Sequence, residues 1–250
     1  MKAILYIGHG TRSKEGAAEA KQFLSSVINR IDAPIQEISF LELTKPFIDE
    51  GFERCVKRGA TEITVIPLLL LSAGHFKEDI PNELAPLQKK HPHIQVKMAD
   101  AFGVQGRILD AITELVKDTA KGVNIDDSLL IVGRGSSDPL IHEAFAQIKK
   151  GLADRLGISL VHVCYLAAAT PRLKEGLEAI SNEAAGRVIV IPYLLFAGLL
   201  LDEVMESVHH RQQQGQAIIY TDVLSRHRVI QDIVIERVTG KEPADAASYY

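Results

Sequence analysis

The chain has no tryptophan and only two cysteines, Cys55 and Cys164, in 250 residues. Each sits alone inside a helical or strand pattern, so the two make neither a disulfide framework nor a metal-ligand spacing. Aromatic residues are 6% of the total, too few for the stacking platforms that hold single-stranded nucleic acid. A basic block is also missing. Residues 1–124 carry 16 basic and 16 acidic side chains, so the whole net charge of −4 lies in the remainder, and no cation cluster is available to neutralise a phosphate backbone. No apolar run approaches the ~20 residues that span a bilayer. The N-terminus runs at once into the apolar strand Lys2-Ala3-Ile4-Leu5-Tyr6-Ile7, without the basic segment, apolar stretch and cleavage site of a secretory leader. These absences point to a cytoplasmic protein acting on a small molecule, with no nucleic-acid or membrane partner.

What is present is written twice. A shift of 125 positions carries Leu5 onto Leu130, Gly8 onto Gly133, Gly10 onto Gly135, Pro46 onto Pro171 and Gly51 onto Gly176. The same shift carries Val65-Ile66-Pro67 onto Val190-Ile191-Pro192. Such self-similarity is the mark of duplication. The copies part company at polar positions: His9 meets Arg134, Glu42 meets Ala167, and His75 meets Leu200 or Leu199. One copy is expected to have kept a reactive site.

Short apolar, β-prone runs alternate with helical periods, the pattern of an α/β protein with parallel sheets. Strands are predicted near 2–8, 35–42, 62–70 and 94–98, then 128–133, 158–166, 187–195 and 217–220. Helices are predicted near 14–31, 46–58, 79–90 and 105–120, then 138–156, 172–184, 200–214 and 227–238. Runs such as Ile63 to Leu71 are apolar nearly throughout, as in sheets covered on both faces. The expected fold is two tandem doubly wound parallel-sheet domains. The polar link 118–127, with Gly122 to end a helix, sets the expected boundary between residues 1–122 and 123–250. The first domain would carry the reactive residues and the second, degenerate repeat would complete the cleft, making a monomer with an internal pseudo-dimer. A cut near Gly122 is expected to leave two folded halves.

In doubly wound sheets ligands gather at the carboxyl ends of the strands, and three polar candidates stand there. Gly8-His9-Gly10-Thr11-Arg12-Ser13 joins strand to helix, but it lacks the third glycine of the dinucleotide fingerprint and the Gly-Lys-Ser/Thr of a P-loop. Because Gly133-Arg134-Gly135-Ser136-Ser137 keeps the turn without the histidine, His9 is dispensable to the turn and a site candidate. Ser72-Ala73-Gly74-His75 leaves the third strand, and a helix start beside His75 would favour neutral imidazole. The plainer alternative is a capping turn, with Asp79 as cap and Pro81 opening the helix. Glu42 ends an apolar run and either holds a histidine or pairs with Lys45 at the surface. His91, His93, His209 and His210 read as solvent-facing, while His142, His162 and His227 have no polar constellation nearby in sequence. The run Pro192 to Leu201 reads as buried strand and helix entry, with a continuation able to line a pocket for a flat ligand.

These motifs, with Pro67-Leu68-Leu69-Leu70-Leu71-Ser72-Ala73-Gly74-His75, resemble the class II tetrapyrrole metal chelatases of the sirohydrochlorin type over essentially the whole chain. The closest likeness is to the long, single-chain branch of siroheme synthesis. That resemblance implies insertion of Fe²⁺, as substrate and not as a resident cofactor, into sirohydrochlorin. It carries the two active-site histidines, for metal and protons, onto His9 and His75 and an acidic partner onto Glu42. Substrate carboxylates would meet Gly10, Thr11, Arg12, Arg134, Ser136 and Ser137. Insertion of Co²⁺ for cobalamin synthesis is the alternative; the lack of a histidine-rich or cysteine-bearing extension favours iron. Two readings from other classes are a histidine phosphatase, for which Gly8 stands where the signature arginine belongs, and a bilobed small-molecule binding protein.

Overall fold

A computed structural model describes residues 1–72 and 74–240, apart from the side chain of His75. The described residues form two four-stranded, all-parallel sheets. In the first, β1 (Lys2–Gly8), β2 (Ile35–Phe40), β3 (Glu62–Pro67) and β4 (Gln95–Met98) lie in the order β2-β1-β3-β4. In the second, β5 (Ser128–Gly133), β6 (Val161–Tyr165), β7 (Val188–Tyr193) and β8 (Ile218–Tyr220) lie in the order β6-β5-β7-β8. The helices are α1 (Lys14–Ile28), α2 (Ile48–Lys57), α3 (Ile80–Lys90), α4 (Gly106–Ala120), α5 (Leu140–Leu156), α6 (Leu173–Glu183), α7 (Leu199–Gln213) and α8 (Arg228–Thr239). The expected element order holds throughout. The strands end earlier than predicted, at Phe40 and Pro67 rather than near 42 and 70, which leaves the polar residues in loops.

Local chemistry explains the element ends. Ser13 caps α1 by accepting from the Gly16 amide at 3.2 Å. The side chain of Glu50 accepts from the Phe47 amide at 2.8 Å to open α2, and Glu175 does the same for Arg172 at 2.7 Å before α6. Each is the acidic half of a capping box. On α2, Ile48, Phe52 and Cys55 recur at helical spacing and are buried against the sheet with Leu5, Ile63 and Val65. Full burial of an isoleucine or phenylalanine side chain such as these is worth ~1.5–3 kcal/mol. Asp79, the cap in the plainer alternative for this turn, has helical φ and ψ and makes no side-chain capping hydrogen bond; a wide π-type turn, His75–Asp79, runs into the helix instead.

The compact units do not part near Gly122. One unit is Met1–Gly103 with the segment from Ile230, and the other is Val104–Val229. Thus α4 belongs with the second sheet: Arg155 Nε donates to Asp110 Oδ1 at 2.6 Å, and Leu109 lies against Gly151 of α5. The terminal α8 belongs with the first, where Arg30 meets Asp232 at 2.7 Å and Arg237 donates to the Ala101 carbonyl. The polar link marks where a helix ends, not which sheet that helix covers. A cut near Gly122 would therefore part α4 from the unit it belongs to.

Candidate active site at the carboxyl edge of the first sheet

Register brings the strand ends level. Gly8 stands opposite Phe40, and Ile7 opposite Pro67. The chain passes from central β1 to β2 on one side and returns to β3 on the other, so the loops after these strands share the switch-point edge where α/β ligands bind. The backbone then stitches two loops together: the Leu41 amide donates to the Gly8 carbonyl at 2.9 Å and the Glu42 amide to the His9 carbonyl at 3.1 Å. Gly10 has φ +94°, and a Cβ there would collide with the Glu42 carbonyl oxygen. Only glycine allows this approach.

His9 and Glu42 meet as the sequence suggested. His9 Nε2 lies 3.5 Å from Glu42 Oε1, and His9 Nδ1 lies 3.1 Å from the Gly10 carbonyl oxygen. A neutral ring that donates Nδ1–H to that carbonyl turns its Nε2 lone pair towards the carboxylate. Two acceptors facing each other repel unless a proton or a cation stands between them. With ligand bonds of ~2.1 Å, a cation shared across 3.5 Å would see them at close to a tetrahedral angle. Lys45, the other partner weighed for Glu42, sets its ammonium 5.8 Å from the centroid of the Phe47 ring. Leu43, next to Glu42 in sequence, and Phe47, further along the same loop, are 47% and 37% exposed, apolar groups on the loop that carries the carboxylate.

The side chain of His75, the third expected member, lies outside the described residues. Among the described residues no three His, Cys, Asp or Glu side chains gather as a metal cage. The remaining histidines have partners of their own. His91 meets Glu53 at 3.0 Å, His162 meets Glu183 at 3.3 Å, and His227 meets Glu114 at 2.9 Å. His142 meets Tyr165 Oη at 3.3 Å, His209 packs edge-on to Tyr220 and His210 meets Gln214. Lys90 and His91 hold the Glu53 carboxyl below its usual range by hydrogen bonding. Burial pushes both thiols, Cys55 and Cys164, up to about 12.

The residues expected to meet substrate carboxylates divide in two. Arg12, Arg134 and Ser137 are exposed. Thr11 and Ser136 instead serve their own turns, accepting from the amides of Ser13 and Asp138 at 3.1 Å each. The Thr11 amide is taken up by Thr44 Oγ1 at 3.0 Å, so these loop amides are largely satisfied within the protein. In the second sheet the same backbone recurs without the histidine and the glutamate. The Leu166 and Ala167 amides donate to the Gly133 and Arg134 carbonyls at 3.0 and 2.7 Å. Gly135 has φ +90°, and Ala168 matches Leu43 in the left-handed region. The peptide bonds before Pro46 and Pro171 are both cis. A concavity of about 530 Å³ bounded by Asn124–Asp127 and Ala185–Arg187 lies at the start of β5 and β7, the edge away from these loops; there Arg187 pairs with Asp127 at 2.8 Å.

Sequence reading missed Thr44. Its hydroxyl also donates to the Thr11 carbonyl at 2.8 Å. The signal was present: Ala169 stands at the equivalent position, the same kind of difference between copies that singled out His9.

Fold and edge together define a duplicated α/β protein of two parallel sheets, in which, among the described residues, only the first sheet carries a histidine–carboxylate pair at its carboxyl edge. The family model described as CbiX matches residues 3–119 and again 128–241, and the chain belongs to that family. It is 40% identical over 238 residues to the sirohydrochlorin ferrochelatase of Priestia megaterium, covering 95% of this chain and 90% of that one. Among solved structures it is similar to SirB from Bacillus subtilis with Fe³⁺, with a TM-score of 0.83 and 34% identity over 98% of this chain and 96% of that one. It is also similar to the sirohydrochlorin chelatase SirB from Bacillus subtilis subspecies spizizenii in complex with cobalt, with a TM-score of 0.80 and 34% identity over 95% and 94%. No helix among the described residues is long and apolar enough to cross a membrane.

Proposed function

We propose that this protein is a sirohydrochlorin ferrochelatase, which inserts Fe²⁺ into sirohydrochlorin to give siroheme and releases two protons. The observation that carries the reading is the His9–Glu42 pair, whose facing Nε2 and Oε1 atoms are 3.5 Å apart at the sheet edge where such folds bind ligands. The metal must shed water while the macrocycle loses two pyrrole N–H protons. Neutral imidazole and ionised carboxylate each bind a hard or borderline dication, and each can take a proton once the metal has moved on. His9 holds the incoming metal by Nε2 with Glu42 as its neighbour, and the same atoms then accept a proton. His75 is the second histidine of this reading. Leu43 and Phe47 offer apolar contact to one face of a flat ring. Arg12, Arg134 and Ser137 are the exposed groups for its carboxylates, and Gly10 is the residue that lets Glu42 come close.

The test is anaerobic incubation of sirohydrochlorin and Fe²⁺ with the protein, followed by the visible spectrum of the macrocycle. The expected result is rapid insertion by the parent chain and a loss of about a hundredfold or more on His9→Ala, in the range for removing a group that transfers protons. Insertion by His9→Ala at the parental rate would move the chemistry elsewhere. Cobalt is the second reading, favoured by the cobalt complex of the SirB relative; a rate with Co²⁺ well above that with Fe²⁺ would select it.

A further inference from the structure

Two loops must be held in register for His9 and Glu42 to act together, and one side chain joins them. Thr44 is buried, at 9% exposure. Its Oγ1 accepts from the Thr11 amide at 3.0 Å and donates to the Thr11 carbonyl at 2.8 Å. One hydroxyl thus engages both backbone polar groups of a single residue across 33 positions of sequence. Thr11 is two residues beyond His9, and Thr44 two residues beyond Glu42, whose carbonyl accepts from the Thr44 amide at 2.6 Å. The clamp closes the small ring of chain from which the imidazole and the carboxylate project.

A purely structural role is the competing explanation, and the duplication supplies the control. The second copy has the same strand-end hydrogen bonds, the same left-handed residues at 135 and 168 and the same cis proline, yet Ala169 replaces the threonine. The loop therefore folds without the clamp. In that copy Arg134 and Ala167 replace the reactive pair as well. The hydroxyl is kept where there is a pair to align and is missing where there is none.

We infer that Thr44 is a positioning residue, which sets the His9–Glu42 separation and thereby the hold on the incoming metal ion. This rests on the reading of that pair given above. The test compares Thr44→Ala, which installs the residue of the second copy, with Thr44→Ser, which keeps the hydroxyl. Thr44→Ala is expected to raise the KM for Fe²⁺ about tenfold while leaving the KM for sirohydrochlorin unchanged. Thr44→Ser should restore the parental value within about twofold. In a Glu42→Gln background, adding Thr44→Ala should cost less than about twofold, because there is no longer a carboxylate to align with the imidazole. A structural role would instead lower kcat through the active fraction and leave both KM values alone; that result, or losses that simply add in the double variant, overturns the inference. If His9→Ala disables the enzyme while Thr44→Ala behaves as the parent, the positioning role fails and the site stands. Should His9→Ala and Glu42→Gln both behave as the parent, the site itself fails and the positioning role with it.

Discussion

Position 39 tests whether the two copies share one core geometry. Ser39 stands opposite Ile7 in the first sheet, and Cys164 opposite Val132 in the second. Each packs on a helix glycine: a Cβ on Gly51 would strike Ser39 Oγ, and one on Gly176 would strike Cys164 Cβ. Cys164 fits this slot as a small hydrophobe. Ser39 is fully buried, and its hydroxyl has no hydrogen-bond partner. An orphaned buried hydroxyl costs ~1–3 kcal/mol. Ser39→Cys removes that cost and adds apolar contact, less a part for fitting the larger sulfur, so a gain of ~1–2 kcal/mol is expected. The second sheet, which already seats a sulfur against a glycine, shows that the volume can be accommodated. Cys164→Ser should do the reverse and cost ~1–3 kcal/mol. Equilibrium urea unfolding followed by circular dichroism reads both, as a midpoint shift at constant slope. Loss of stability in both variants would refute the argument, since local fit rather than the stranded hydroxyl would then be deciding.

Gly10→Ala should leave the sheet intact but force the His9 and Glu42 loops apart, reducing iron insertion at least tenfold in the spectral assay; unchanged turnover would mean that close approach is not needed. Both thiols are held protonated, with values up to about 12, so their contribution to stability is whole below the ordinary thiol value and is lost as pH rises towards 12. Native protein at pH 8 should therefore react slowly with a thiol reagent and release two thiols only on denaturation, and stability should fall between about pH 9 and 12. Fast titration of either thiol in the native state would contradict this. Ending the chain at Val229 removes Ile230, Ile233 and Val234, all fully buried, together with the Arg30–Asp232 pair. At ~1.5–3 kcal/mol per side chain the first unit should lose several kcal/mol, seen as faster hydrogen exchange in residues 1–103. Equal loosening of residues 104–229 would argue against the assignment of α8 to the first unit.

The element order, the duplication and the edge that bears the candidate site were legible in the sequence. Alternation of apolar runs with helical periods dictates parallel βα units, and parallel units place every strand-to-helix loop at one edge, so His9 and Glu42 had to emerge on the same side. Comparing the copies then separated what turns need, the glycines, from the residues proposed for chemistry. Three things waited for the tertiary structure. Strand order made β1 and β2 neighbours in one register, which sets His9 beside Glu42 and Thr44 on Thr11; hydrogen bonds across 33 residues have no local signature. The sheet that a helix covers is settled by which apolar faces meet, so α4 and α8 joined units that the linker composition did not indicate. Ser39 reads like any strand serine until the packing around it leaves its hydroxyl alone. Local propensity and period determine what forms and in which order; partners distant in sequence are chosen only when the faces close on one another.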